Sequence, residues 1–272
     1  MKVKISNTEL KRMLSISKRK QTVNGKQQAQ VESCVLLVDL HDARITSLTR
    51  DLTGLTGVVA QCESDKSFLI PIPDIDRVLG VIALHGEVLT ISYGDNKLLF
   101  KSAGKRTTLD ASLDAKAFTH TQETISEFYD KSMSLAAKVD AENGIYRGND
   151  GNEYPAFSSF EVNVRDLYDA CRCDTINGQR LNRYTLEMKT DGFYVTVGDP
   201  SLGQTESKVD VETTFLFSDF KWNFDGGLDE LFKGFTGKVK LNFFDFREHG
   251  QGIRFSASFG NGEYAFQSGM LG

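Results

Sequence analysis

Residues Gly237–Phe266 read GKVKLNFFDFREHGQGIRFSASFGNGEYAF. Val239, Leu241 and Phe243 alternate with Lys238, Lys240 and Asn242, the two-residue period of a strand with one buried face. Ile253, Phe255, Ala257 and Phe259 alternate in the same way with Arg254, Ser256 and Ser258. Gly260-Asn261-Gly262 then turns the chain into a strand carrying Tyr264 and Phe266, as a hairpin requires. The pattern is an antiparallel meander and not an alternation of strands with crossover helices. Earlier in the chain the same style recurs, with Leu89, Ile91 and Tyr93 before the turn Gly94-Asp95-Asn96 and a strand from Leu98 to Lys101 after it.

Working outward, four short helical stripes interrupt the strands. Leu10, Met13 and Leu14 mark the first, capped by Asn7 or Thr8; Ile75, Val78, Leu79 and Ile82 mark the second. Leu167, Ala170 and Cys171 repeat the first stripe 157 positions later, behind the strand-like Phe160-Glu161-Val162. Leu228, Leu231, Phe232 and Phe235 repeat the second after 153 positions. Phe68-Leu69-Ile70 precedes one second-type helix and Phe215-Leu216-Phe217 the other. Each half thus reads strand, helix, several strands, helix, three strands. Between them Ile125, Phe128, Tyr129, Ala136 and Val139 give a helical stripe ended by Asn143-Gly144, and Gly144 to Glu153 reads as a mobile loop. The expected organisation is an α+β chain with domains at 1–118 and 157–272 and a connector at 119–156.

The chain has 272 residues, of which 40% are hydrophobic and 25% charged, enough to bury a core and too apolar for disorder. No apolar run is long enough to span a membrane, and the N-terminus lacks the apolar stretch of a signal peptide, so an intracellular, cytoplasmic protein with no membrane association is expected. Four scattered cysteines suggest reduced thiols. The net charge of −5 argues against a surface that is basic all over but leaves room for a local basic face. Rotating each apolar stripe by 100° per residue places Lys11, Arg12, Lys18, Arg19 and Lys20 on or beside the outward face of the first helix, read as 8–20. Arg77 faces outward on the second helix, Arg165 and Arg172 on the third, and Lys233 on the fourth. Acidic residues share the last two faces, Asp169 and Glu230 among them.

Leu48-Thr49-Arg50-Asp51-Leu52 followed by Gly57-Val58-Val59-Ala60, Phe68-Leu69-Ile70-Pro71 leading into Asp74-Ile75-Asp76-Arg77-Val78-Leu79, and Lys105-Arg106-Thr107-Thr108-Leu109 running to Lys116-Ala117-Phe118 resemble the DNA polymerase sliding clamps. Gly237-Lys238-Val239-Lys240-Leu241 and Gly262-Glu263-Tyr264-Ala265-Phe266 are similar to a clamp's final strands. The resemblance covers nearly all of both halves, through the repeated order of elements more than through any one motif. It implies two clamp domains per chain, each of antiparallel sheets with two helices on one face, closing as a homotrimer into a six-domain ring. The ring would encircle double-stranded DNA without reading its bases, with the outward cations lining the hole. It would tether a DNA polymerase and be set in place by a clamp loader. The resemblance also implies a partner-peptide pocket between the domains at Leu40, Ile45, Phe266, Met270 and Leu271. The tail Gln267–Gly272 lacks the proline common in the family, and the helical connector departs from the family's extended one. Edge strands near Arg106–Leu113 and Ser207–Thr213 are candidates for pairing between subunits.

Catalytic chemistry finds no residues to stand on. There is no phosphate-binding glycine loop, His41, His85, His120 and His249 lack metal-type spacing, and Cys171-Arg172-Cys173 sits on an expected helix with Cys171 inward. Asp74 and Asp76 suit a helix N-terminus. The expectation is therefore a protein that is no enzyme and has no cofactor or metal. The alternative reading is a non-catalytic, β-rich structural protein of a virion or tail with duplicated domains, and a further one is a subunit of a mixed ring.

Overall fold

The computed structural model describes all residues of the chain except 24–25, 52–53, 119–121, 173–174, 177–178, 181–182, 226, 250 and 269–272. The chain forms two compact units. The first comprises Met1–Lys18, Gln30–Asp51 and Thr56–Ser134, and the second Arg19–Ala29, Leu52–Leu55 and Leu135–Gly272. The division falls inside the connector helix.

Chain order begins with β1 (Lys2–Ser6), α1 (Asn7–Ser17), the hairpin of β2 (Arg19–Val23) and β3 (Lys26–Val31), β4 (Cys34–Asp39) and β5 (Arg44–Arg50). It continues with β6 (Gly54–Gln61), β7 (Glu63–Ser64), β8 (Phe68–Ile72), α2 (Ile75–Ile82), β9 (Val88–Gly94), β10 (Lys97–Ser102), β11 (Lys105–Asp110) and α3 (Ile125–Ala136). In the first unit the strands lie in the orders β11-β10-β9-β1-β7 and β6-β5-β4-β8. Inward residues of β1, β9 and β10 (Val3, Ile5, Leu89, Ile91, Leu98, Phe100) are buried, as are Leu10, Met13 and Leu14 of α1 and Ile75, Val78 and Ile82 of α2.

The second unit adds β12 (Val139–Asp140), β13 (Ile145–Arg147), β14 (Glu153–Pro155), β15 (Ser158–Asn163), α4 (Val164–Cys171), β16 (Thr175–Ile176) and β17 (Gln179–Arg180). There follow β18 (Arg183–Lys189), β19 (Gly192–Asp199), β20 (Gly203–Val209), β21 (Val211–Leu216), β22 (Phe220–Asp225), α5 (Leu228–Phe232), β23 (Lys238–Asp245), β24 (Ile253–Ser258) and β25 (Tyr264–Ser268). Its main strands take the orders β25-β24-β23-β15-β21 and β20-β19-β18-β22, the first unit's arrangement strand for strand. Even the junctions repeat. The first amide of α1 donates to the Glu87 carbonyl at 2.7 Å and that of α4 to the Gly237 carbonyl at 2.9 Å, each just ahead of the strand that pairs with the helix's own leading strand. The core here is aromatic: Phe160, Phe193, Phe224, Phe232, Phe243 and Phe255 are fully buried, each worth roughly 2–3 kcal/mol of apolar transfer.

Five local expectations change. Helix α1 stops at Ser17 instead of reaching residue 20, because Ile16 and Ser17 are already buried and the chain turns into β2 at Arg19. Its cap is Ser6, whose Oγ accepts the Glu9 amide; Asn7 serves a different helix end. Helix α5 has only five residues, stopped by Gly234 at φ +86°, so Phe235 lies beyond it and stacks on Phe259 at 3.8 Å. The strand before α5 is Phe220–Asp225, while Phe215, Leu216 and Phe217 are exposed. Gly144 to Glu153 is no irregular loop: β12, β13 and β14 form a three-stranded sheet through it.

Candidate nucleic-acid interface

Helices α1 and α2 of the first unit are locked by side chains that close backbone ends. Asp74 caps α2, accepting the Arg77 amide at 2.8 Å. Asn7 points its amide at the other end of α2 and donates to the carbonyls of Ile82, His85 and Gly86 at 2.8, 3.1 and 3.0 Å. Ile82 is the last residue of α2, whose carbonyl has no intrahelical donor, and His85 and Gly86 lie in the turn that follows. In the second unit Asn163 caps α4, accepting the Arg165 amide at 2.8 Å.

On this scaffold the expected DNA-facing cations divide into groups. Arg12 is held on both sides, Nε on Glu9 at 3.1 Å and Nη2 on the Val59 carbonyl at 2.7 Å. Lys18, the C-cap of α1, is paired with Asp76 of α2. Lys11 is half-buried and feels the carboxylate of Glu87, which the Ser6 and Thr8 hydroxyls hold below the usual range. Arg77 is exposed. Arg165 of α4 and its C-cap Arg172 are exposed, share Asp169 at 2.8 and 3.9 Å, and lie 5.7 and 5.3 Å from the Tyr168 ring. Lys233, just past α5, reaches Glu230 at 3.7 Å.

Arg19 departs from expectation. It belongs to β2, not to the helix, and is only 5% exposed, so its outward placement is overturned. Lys20 also lies on β2, and its side chain is outside the described residues. The strongly basic stretch inferred for residues 8–20 therefore shrinks on the helix itself to Lys11 and Arg12 against Glu9. Exposed ion pairs of this kind contribute little to folding.

The expected pocket residues are also dispersed in character. Leu40 is 43% exposed in the turn between β4 and β5, and Ile45 is fully buried in β5. Phe266 is 1% exposed, because Tyr146 of β13 stacks over its ring at 5.6 Å. Neither Ile45 nor Phe266 thus offers open surface, and Met270 and Leu271 lie outside the described residues. Beside Phe266 the second unit opens a cleft of about 210 Å³ lined by Tyr146, Tyr154, Phe246, His249 and Arg254. Arg254 donates to the Tyr146 hydroxyl at 2.8 Å and sits 5.2–6.0 Å from the rings of Phe246, Tyr146 and Phe266. Asp150 fixes the cleft's rim by accepting from the Tyr154 hydroxyl and Asn152, which draw its carboxyl down to about 2. Sequence reading missed this cleft because Gly144–Glu153 looked like loop; the signal was the pair Tyr146 and Tyr154 flanking a Gly-Asn-Asp-Gly turn.

β11 and β20 are among the strands that end their sheets, each with a neighbour on one side only in the strand orders above. Among the described residues no helix is long and apolar enough to cross a membrane, and no group of three or more His, Cys, Asp and Glu residues is placed to hold a metal ion.

No protein-family model matches the chain, and no curated protein matches it in sequence. Solved structures do match in fold. The DNA polymerase sliding clamp of Bacillus subtilis superposes with a TM-score of 0.65 at 12% identity, over 99% of this chain and 64% of that one. The DNA polymerase III beta subunit of Thermotoga maritima gives 0.66 at 11% identity over 99% and 65%, and that of Pseudomonas aeruginosa 0.65 at 14% over 99% and 66%. The chain has the α+β fold of the DNA sliding clamps and spans just under two thirds of the length of these relatives in structure.

Proposed function

We propose that the chain is a DNA sliding clamp: a subunit of a ring that surrounds duplex DNA and tethers a replicative DNA polymerase. The observation that carries this reading is the duplicated unit, matched over nearly the whole chain to bacterial clamps of which it spans just under two thirds. A chain with two such units needs three copies to supply six, so the assembly proposed is a homotrimer. The free edges of β11 and β20 support head-to-tail closure, in which one copy's β11 extends the next copy's β20 sheet. Lys11, Arg12, Lys18, Arg77, Arg165, Arg172 and Lys233 would line the hole. Because most of them already answer a carboxylate, they hold phosphates loosely, and retention on DNA rests on topology and not on affinity.

Ring closure on DNA calls for a loader as second partner. Polymerase and loader would dock through a short apolar peptide at the aromatic cleft beside Phe266, with Arg254 available to a peptide carboxylate or carbonyl.

Light scattering over a range of concentrations tests the ring. A species near 91 kDa, three times the 30.3 kDa chain, is expected. A mass that stays at 30 kDa at the highest concentration would remove the homotrimer and leave only a place in a mixed ring. With the trimer in hand, Lys11, Arg77, Arg165 and Arg172 replaced together by Ala should shorten the products of primer extension on a long circular template. Undiminished product length would take those residues out of the hole.

A further inference from the structure

The outward face of the first unit's five-stranded sheet carries cations of a different kind from those on the helices. Register puts Lys4, Thr90, Lys101 and Arg106 in one row across β1, β9, β10 and β11, all on the face opposite the buried Ile5, Ile91 and Phe100. The next row is Lys2, Ser92, Leu99 and Thr108, and beyond it Lys97 of β10 stands opposite Asp110 of β11. Lys2, Lys4, Lys97, Lys101 and Arg106 are all exposed. Lys4 meets Glu63 at 2.9 Å, but the other four have no ion-pair partner among the described residues, in a chain of net charge −5 whose helix cations are mostly paired. Lys101 and Arg106 stand directly opposite each other, a like-charge cross-strand pair that opposes folding.

The second unit indicates what such a face receives. There the same face of β23 and β24 is covered by the chain's own Val139–Pro155, an extended meander that carries Asp140, Glu142, Asp150 and Glu153 against the single cation Arg147. Lys240 donates to the Glu142 carbonyl at 2.9 Å, Asn242 to the Ala141 carbonyl at 2.7 Å, and Arg254 to the Tyr146 hydroxyl. Among the described residues the first unit's face has no such cover, and that unit is the less acidic of the two. From this internal comparison and the charge of the bare face we infer that the Lys4–Lys101–Arg106 face docks an acidic, extended polypeptide segment of a partner protein. A row spanning four strands measures about 14 Å, which an extended segment of four or five residues crosses. Thr90, Ser92 and Thr108 supply hydroxyls between the cations, and the face presents no aromatic ring on which a nucleic-acid base could stack.

This inference does not depend on the clamp reading, and the chain alone suffices to test it. The probe is a fluorescein-labelled glutamate peptide of about ten residues, followed by anisotropy, with oligothymidylate of equal length as the comparison. Binding should weaken at least about tenfold in the Lys97→Ala/Lys101→Ala/Arg106→Ala variant and stay unchanged in Arg165→Ala/Arg172→Ala. On the unaltered protein the peptide should slow amide exchange in β9, β10 and β11, a readout that does not require the variant to fold. Equal binding by the triple variant, or protection confined to other strands, would overturn the proposal. So would oligothymidylate that binds more tightly and loses its binding with the same three substitutions, since the face would then serve nucleic acid.

Discussion

Asn7 shows how much one side chain can organise. Its amide answers three carbonyls at the end of α2 while its backbone opens α1, so a single residue ties the start of one helix to the finish of the other. Asn7→Ala should cost about 2–3 kcal/mol in chemical denaturation, because buried carbonyls lose their donor. Asn7→Asp should cost more, as it aims a carboxylate at the same carbonyls. His85 acts nearby, with its ring nitrogens 2.9 Å from Ser102 Oγ and 3.0 Å from Thr107 Oγ1. Burial, reinforced by Lys105, draws the imidazole below the ordinary value of 6.5. The unfolded chain then takes up the proton first as pH falls below 6.5, so the stability that His85 contributes is complete above that pH and is lost on acidification. The melting temperature of the unaltered protein should fall further between pH 7.5 and 5.5 than that of His85→Gln; equal falls would show that the ring does not titrate in this way.

At the scale of elements, α3 is anchored by its buried Ile125 and Phe128 and by one ion pair at its foot. Arg50 of β5 reaches Glu123 at 2.6 Å with both side chains largely buried, 16% and 10% exposed, and its guanidinium also lies 5.5 Å from the Phe128 ring. Lys131 adds a second cation to Glu123 from α3 itself. Glu123→Ala leaves Arg50 desolvated without its carboxylate, so roughly 3 kcal/mol should be lost and amide exchange in α3 should quicken before that of β4 or β5. Helix α4 poses the opposite case. Asp169 occupies both Arg165 and Arg172 on an exposed surface, where such pairs contribute little to folding. Asp169→Asn should leave the melting temperature almost unchanged, tighten binding to duplex DNA, and steepen its salt dependence by about one counterion.

For the whole molecule, the repeat of strand order is the feature from which the ring reading grows. Strands β11 and β20 lie at sheet ends in units that are otherwise alike, and an edge that remains open in the single chain is a place for another copy to pair. Proline placed in β11 at Thr108 should lower the concentration-dependent mass without unfolding either unit, because an edge strand tolerates the ring sterically while losing one donor. A mass that is unaffected would move self-association elsewhere.

Alternation and helical stripes depend only on neighbours close in sequence, and those features were legible residue by residue. The meander from Val239 to Phe266, the turns at Asp95-Asn96 and Asn261, the four stripes and their spacing of 153 to 157 all follow from side-chain periods that need no partner to be recognised. The clamp fold was therefore written in the order of elements even where single residues were unremarkable. Tertiary structure decided what those periods leave open. A helix end depends on what buries its last turn, so Ser17 and not Lys20 closes α1 and Arg19 goes inside. Whether a cation is available depends on the carboxylate that folding brings to it, as Asp76 comes to Lys18 from 58 residues away. Whether an apolar residue is open or covered depends on segments distant in the chain: Tyr146 closes over Phe266, 120 positions later, since burying two rings against each other removes more apolar surface from water than either could alone.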